Sequence, residues 1–212
     1  MDRKIISFDA DGVLAECGYT PPEDRNNKVY CKKSTVCPEV IPALHHLSML
    51  YDIYVISTRS HHESNLGLRA WLHWILGLEL DTIAGVITGP SGFPRGMTFG
   101  PEAENIHQNK AQIVEALGVL VHIDDNPDVI KTMPGYGVLL VSDMPSSKAA
   151  AGLYPTCYDW EGIMEFLTTP GMTLHGSEGV SVVSPCEEGF QLPKIDPATV
   201  KALAESLSPK IQ

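Results

Sequence analysis

The sequence predicts an α/β fold built on a central parallel sheet of about five strands, and three observations carry that expectation. Short β-branched apolar runs recur along the chain without the strict alternation of a half-exposed strand, as suits strands covered on both faces. Stretches with helical apolar spacing lie between them, and such alternation implies right-handed crossovers in a parallel sheet. The most reactive-looking side chains directly follow the apolar runs, where open α/β sheets bind their ligands.

The elements follow in order. Lys4–Phe8 is an apolar run that stops at Asp9. Pro38–Leu50 carries Val40, Ile41, Leu44, Leu47 and Leu50 on one helical stripe, and Pro38 suits a helix start. Asp52–Ser57 is the second strand. Glu63–Leu80 places Leu66, Ala70, Trp74 and Leu78 on one face, so Trp71 and Trp74 read as core rather than as a base-stacking pair. Thr82–Thr88 is the third strand. Lys110–Leu117 is a helix closed by Gly118, a C-terminal cap. Leu120–Ile123 and Gly137–Val141 are the fourth and fifth strands, and Asp159–Leu167 reads as a helix.

Two stretches break this rhythm. Ala15–Cys37 is polar, with Pro21-Pro22 and Asn26-Asn27, and follows the first strand. Thr168–Pro193 is rich in Gly, Ser and Pro and reads as a linker or irregular wrap. Asp196-Pro197 then makes a cap and first position for a short helix to Leu207. The expected organisation is a core over residues 1–168 with a short insert at 15–37, a linker at 169–195 and a C-terminal helix at 196–212.

Composition narrows the function classes. The 212 residues carry 26 acidic and 15 basic side chains, a net charge of −11, which argues against broad binding to nucleic-acid backbones or anionic membranes. No apolar run approaches the roughly 18 residues of a membrane span. The N-terminal residues do not read as a secretory signal, and Cys17, Cys31, Cys37, Cys157 and Cys186 form no C-x-x-C pair. Reduced thiols in a cytoplasm are therefore expected. Cys31 and Cys37 with His45 or His46 fit no common zinc spacing. The charge is uneven: residues 1–158 sum to −6 and residues 159–212 to −5. Without Asp9, Asp11, Asp124, Asp125 and Asp128, the first part would stand at −1, so a local anionic partner remains compatible with it.

Those acids sit where chemistry is expected. Asp9-Ala10-Asp11-Gly12-Val13 follows the first strand, Ser57-Thr58-Arg59 the second, and Asp124-Asp125-Asn126-Pro127-Asp128 the fourth. Carboxylates two residues apart on a loop repel, and a divalent cation compensates them. Oxygen donors with few nitrogen or sulfur partners point to Mg²⁺. An added hydroxyl and Lys110 suit a phosphoryl group, whose charge needs donors and cations, so the expected reaction class is phosphoryl transfer. An EF-hand calcium loop is excluded by Val13 and Leu14.

The ordered set resembles the haloacid dehalogenase-like superfamily of phosphohydrolases. The first motif is Ile5-Ile6-Ser7-Phe8-Asp9-Ala10-Asp11-Gly12-Val13, the second Tyr54-Val55-Ile56-Ser57, the third Lys110, and the fourth Val121-His122-Ile123-Asp124-Asp125. The resemblance implies a Rossmannoid three-layer sandwich with a minimal cap at 15–37, and a phosphomonoester hydrolase. Asp9 would be the nucleophile that forms an aspartyl-phosphate, and Asp11 the general acid and base. Asp9, the backbone carbonyl of Asp11, and Asp125 would hold Mg²⁺, with Asp125 favoured over Asp124 because doublets in related nucleotide phosphatases use the second acid. Ser57, Lys110, Thr58 and Arg59 would bind phosphate.

The Ser57-Thr58-Arg59 segment, Trp71-Leu72 and the acidic doublet also resemble polynucleotide 3′-phosphatases and deoxyribonucleotidases, with Thr58 and Asn126 departing from their Gly and Arg. Nucleotides or nucleic-acid 3′-phosphate ends are therefore the candidate substrates, and Arg25, Lys28, Lys32 and Lys33 a candidate anion-binding patch. The absence of a Walker-type loop excludes an attached kinase. The alternative is a non-catalytic protein of the same fold that binds or regulates, docking a second copy or a protein partner through the C-terminal helix.

Overall fold

The computed structural model describes residues 3–16, 35–36, 39–57, 82–88 and 103–188. The insert at 17–34, the expected helix at 63–80 and the expected C-terminal helix at 196–207 lie outside the described residues, as do Thr58, Arg59, Arg25, Lys28, Lys32 and Lys33.

Strands β1 (Ile5–Phe8), β4 (Asp52–Ser57), β5 (Gly85–Thr88), β6 (Val119–Asp124), β7 (Gly137–Leu140) and β8 (Thr156–Cys157) form one sheet. Its order is β5-β4-β1-β6-β7-β8, and every pairing is parallel. The sheet has six strands where about five are expected. The extra one is β8, whose two residues are too few to show a pattern.

Alternation along the strands makes a three-layer sandwich, because successive side chains point to opposite faces. Ile6, Phe8, Ile53, Val55, Val121, Ile123, Val138 and Leu140 pack on one face. There they meet α1 (Val40–Ser48) and the helix Trp160–Thr168. On the other face, Ile56 and Val119 meet the helix Ala103–Ala116 and the short helix Pro127–Ile130. In chain order the helices after α1 are α2 (Ala103–Ala116), α3 (Pro127–Ile130), α4 (Pro145–Ala150) and α5 (Trp160–Thr168). Asp159 caps α5 by accepting a hydrogen bond from the Gly162 N–H at 2.8 Å.

The chain passes from β1 outward through β4 to β5, then returns to β6 on the other side of β1. That reversal falls at the carboxyl end of β1, the place where such sheets bind ligands.

Two further features differ from expectation. Lys110 is expected at the start of its helix, but α2 begins at Ala103, so Lys110 lies in its second half. The stretch Ala103–Asn109 is too polar to display an apolar stripe. Within the expected linker, β9 (Thr173–His175) and β10 (Ser181–Val183) form an antiparallel hairpin whose Val182 is buried in the core. A second small hairpin pairs β2 (Ala15–Glu16) with β3 (Thr35–Val36) at the base of the insert. Among the described residues, no helix is long and apolar enough to cross a membrane.

Candidate active site

The site grows from β1 and β6. Phe8 pairs with Ile123, and the Asp9 N–H donates to the Ile123 carbonyl at 2.9 Å, which fixes Asp9 beside the end of β6. Beyond Asp9 the chain turns tightly, with the Leu14 N–H donating to the Ala10 carbonyl at 3.1 Å. Trp160 secures this loop: its indole N–H donates to the Val13 carbonyl at 3.0 Å, and its ring stacks on Phe8 with centroids 5.4 Å apart. Such a ring pair contributes about 0.5–1.5 kcal/mol beyond its buried area.

Asp9, Asp124 and Asp125 are all buried, and one oxygen from each lies within 4.8 Å of the others. Lys110 is buried among them. Its Nζ donates to Asp9 Oδ1 at 2.8 Å and to Asp124 Oδ2. Ser7 and Asp9 on one strand, and His122 and Asp124 on the next, alternate toward the α2 layer that delivers Lys110.

The two acids of the doublet are held differently. Asp124 is engaged at both oxygens: Oδ1 accepts from the Asn126 N–H at 2.9 Å, and Oδ2 accepts from Lys110 and from His122 Nε2 at 3.2 Å. Asp125 instead lies against the backbone of Gly12. A Cβ at that position would collide with the Asp125 carboxylate, and the Gly12 φ of +80° also favours glycine. The glycine of the first motif therefore makes room for an acid of the fourth.

Electrostatics separate them in the same way. Burial opposes ionisation of Asp124, but Lys110 and the His122 hydrogen bond outweigh it and hold this carboxyl well below its usual range. Burial raises Asp125, the Asp124 and Asp9 charges add to it, and the carboxyl is pushed up to about 8 despite a Ser142 hydrogen bond and Lys110. Burial also raises Asp9, Lys110 counters it, and Asp124 and Asp11 push it up again. Burial would lower Lys110, but Asp124 and Asp9 keep it firmly protonated. His122 is lowered to about 4 by burial and by Lys110.

Among the described residues, three buried carboxylates thus face one ammonium, and two of them are driven toward protonation. A hard divalent cation fits this donor set: it meets oxygen ligands only and counters the burial and the mutual repulsion that raise Asp9 and Asp125.

Of the other expected residues, Ser57 is buried at the end of β4, beside the end of β1. Asp11 is half-buried on the loop after β1. Asp128 is exposed, and its N–H donates to the Asn126 side chain at 3.0 Å, so Asn126 caps α3. Sequence reasoning missed His122, Ser7 and Ser142. A histidine inside an apolar strand was the available signal for the first.

No family model matches the chain, and no curated protein matches it. Solved structures do. A hydrolase of the haloacid dehalogenase superfamily, subfamily IA variant 1, from Geobacter sulfurreducens is 13% identical, with 69% of this chain and 93% of that chain covered and a TM-score of 0.43. A haloacid dehalogenase-like family hydrolase from Streptococcus pneumoniae is 11% identical, with coverage of 77% and 98% and a TM-score of 0.49. A protein from Listeria monocytogenes serotype 4b is 12% identical, with 96% of both chains covered and a TM-score of 0.45. These likenesses are loose.

Proposed function

We propose that this chain is a Mg²⁺-dependent phosphomonoester hydrolase of the haloacid dehalogenase-like type. The observation that carries it is the convergence of Asp9, Asp124 and Asp125 around Lys110 at the carboxyl end of β1. Asp9, the main-chain carbonyl of Asp11, and Asp125 would hold the cation. Asp125 suits that role because Asp124 is already saturated by three protein donors. When bound, Mg²⁺ supplies positive charge to the phosphoryl oxygens and to the crowded carboxylates.

The protein's own groups divide the remaining work. Ser57 and Lys110 donate to phosphoryl oxygens and orient the phosphorus toward Asp9. The Asp9 carboxylate attacks phosphorus as the bond to the leaving oxygen breaks, giving an aspartyl-phosphate. Asp11 gives its proton to the leaving oxygen. It then takes one from a water that attacks the same phosphorus, releasing phosphate and restoring Asp9. Nucleotides or nucleic-acid 3′-phosphate ends are the proposed substrates, on the sequence resemblance of the Ser57 and Asp124-Asp125 segments.

The test is phosphate release from a panel of nucleotides, 3′-phosphorylated oligonucleotides and simple phosphomonoesters, with Mg²⁺ and with EDTA. Turnover is expected with Mg²⁺ and lost in Asp9→Asn. Activity indifferent to that substitution would overturn the mechanism.

A further inference from the structure

A histidine buried inside the central strand is costly unless its ring nitrogens are paired. His122 is completely buried in β6, and both of its nitrogens have partners. Nε2 lies 3.2 Å from Asp124 Oδ2, and Nδ1 lies 2.7 Å from Ser7 Oγ, itself completely buried on β1. Ser7 and His122 are register partners, so the parallel pairing of β1 and β6 itself brings hydroxyl and imidazole together.

The partners decide where the protons sit. A carboxylate only accepts, so Nε2 carries hydrogen and donates to Asp124. Lys110 donates to the same Asp124 oxygen, so a second full cation on the imidazole would sit against the ammonium in a dry interior. The ring is then neutral, Nδ1 is bare, and the Ser7 hydroxyl donates to it. One directional chain results: Ser7 to His122, His122 to Asp124, with Lys110 clamped between Asp124 and Asp9.

We propose that His122, oriented by Ser7, is a positioning residue that locks Asp124 and through it the Lys110 ammonium beside Asp9. The lock keeps Asp124 turned toward Lys110 and leaves Asp125 as the acid free for a cation. It also holds the ammonium where the phosphoryl oxygens would arrive. As a statement about turnover this rests on the phosphatase reading above; as a statement about the imidazole it does not.

The experiment has two readouts on the full chain. The first is ¹⁵N NMR of the wild-type imidazole nitrogens in metal-free protein. It is expected to show His122 with hydrogen on Nε2 and a bare Nδ1. A bare Nε2, with the hydrogen on Nδ1, overturns the proposal whatever the activity. The second compares His122→Gln, which keeps an amide N–H near Asp124, with His122→Leu, which does not. His122→Leu is expected to lower kcat per folded molecule by roughly 10–100-fold, as loss of such supporting hydrogen bonds does. The Mg²⁺ concentration at half-maximal rate should stay near that of wild type, and His122→Gln should recover most of kcat. A role confined to stability would lower the folded fraction and leave kcat per folded molecule unchanged, and that result overturns the proposal. Wild-type protein without turnover on any phosphomonoester would sink the phosphatase reading, and the imidazole spectrum alone would then decide this one.

Discussion

The two ends of the central sheet bury polar groups by opposite rules. At the carboxyl end, Asp9, Asp124, Asp125 and Lys110 are packed together with more carboxylates than cations among the described residues. At the amino end, the Tyr51 and Lys4 side chains are tied to main-chain carbonyls. The Tyr51 hydroxyl donates to Leu167 at 2.7 Å, and Lys4 donates to Pro185 at 2.7 Å while pairing with Glu187 at 2.9 Å. The amino end closes these bonds within the protein, although the buried His46 Nε2 there has no hydrogen-bond partner among the described residues. The other lowers its own free energy only when a cation or proton arrives, which is what a binding site does and a structural core does not.

Removing the central ammonium breaks this contrast most severely. Lys110→Met is expected to destabilise the fold by about 3–5 kcal/mol, because it leaves buried carboxylates without their compensating charge. Denaturant unfolding in EDTA measures it. Mg²⁺ should recover part of the loss, since the cation can take over the charge that Lys110 supplied. A cost below about 1 kcal/mol, typical of an exposed ion pair, would mean that the cluster opens to water and is not the dry centre described here.

A second prediction uses the proton itself. The Asp125 carboxyl is raised to about 8 in the fold, against about 4 for an ordinary aspartate. The folded state therefore binds this proton more tightly than the unfolded state does. The resulting penalty is absent below about pH 4, grows as pH rises, and is complete above about pH 8. Metal-free protein should lose thermal stability between pH 5 and pH 8, and saturating Mg²⁺ should flatten that slope. Asp125→Asn should remove part of it without metal, leaving the share that the raised Asp9 carboxyl contributes. A slope indifferent to both would remove Asp125 from the charged cluster.

The carboxyl end was legible in the sequence because each strand there is an apolar run that stops at a polar group: Phe8 to Asp9, Ile56 to Ser57, Ile123 to Asp124. Pattern and function change at the same residue, so both are visible. What stayed hidden depends on pairings that no single segment carries. Ser7 and His122 look like isolated polar interruptions until β1 and β6 come into register. The preference for Asp125 over Asp124, expected only from the resemblance, has a physical reason once Asn126, Lys110 and His122 are seen to occupy Asp124 while Asp125 rests on Gly12. At the other end of the sheet, the β9–β10 hairpin hides because its three-residue strands contribute one fully buried side chain, Val182, amid Gly and Ser.

The smallest predicted effect belongs to that quieter end and sharpens the contrast from below. Tyr51 is buried, and burial raises its phenol further from ionisation, with Cys186 adding to the shift. The hydroxyl is therefore a neutral donor at any physiological pH, and its bond to Leu167 joins the start of β4 to the end of α5. Tyr51→Phe keeps the ring and removes the donor, leaving one carbonyl unpaired. The expected cost is about 1 kcal/mol, the net value of a neutral hydrogen bond, unchanged between pH 5 and pH 8 and unaffected by Mg²⁺. Thermal unfolding of that variant beside Asp125→Asn puts both ends of the sheet on one scale. If the Tyr51→Phe loss moved with pH or metal as the Asp125 penalty does, the two ends would be electrostatically coupled. The division between an end without a charge cluster and a cation-seeking end would then fail.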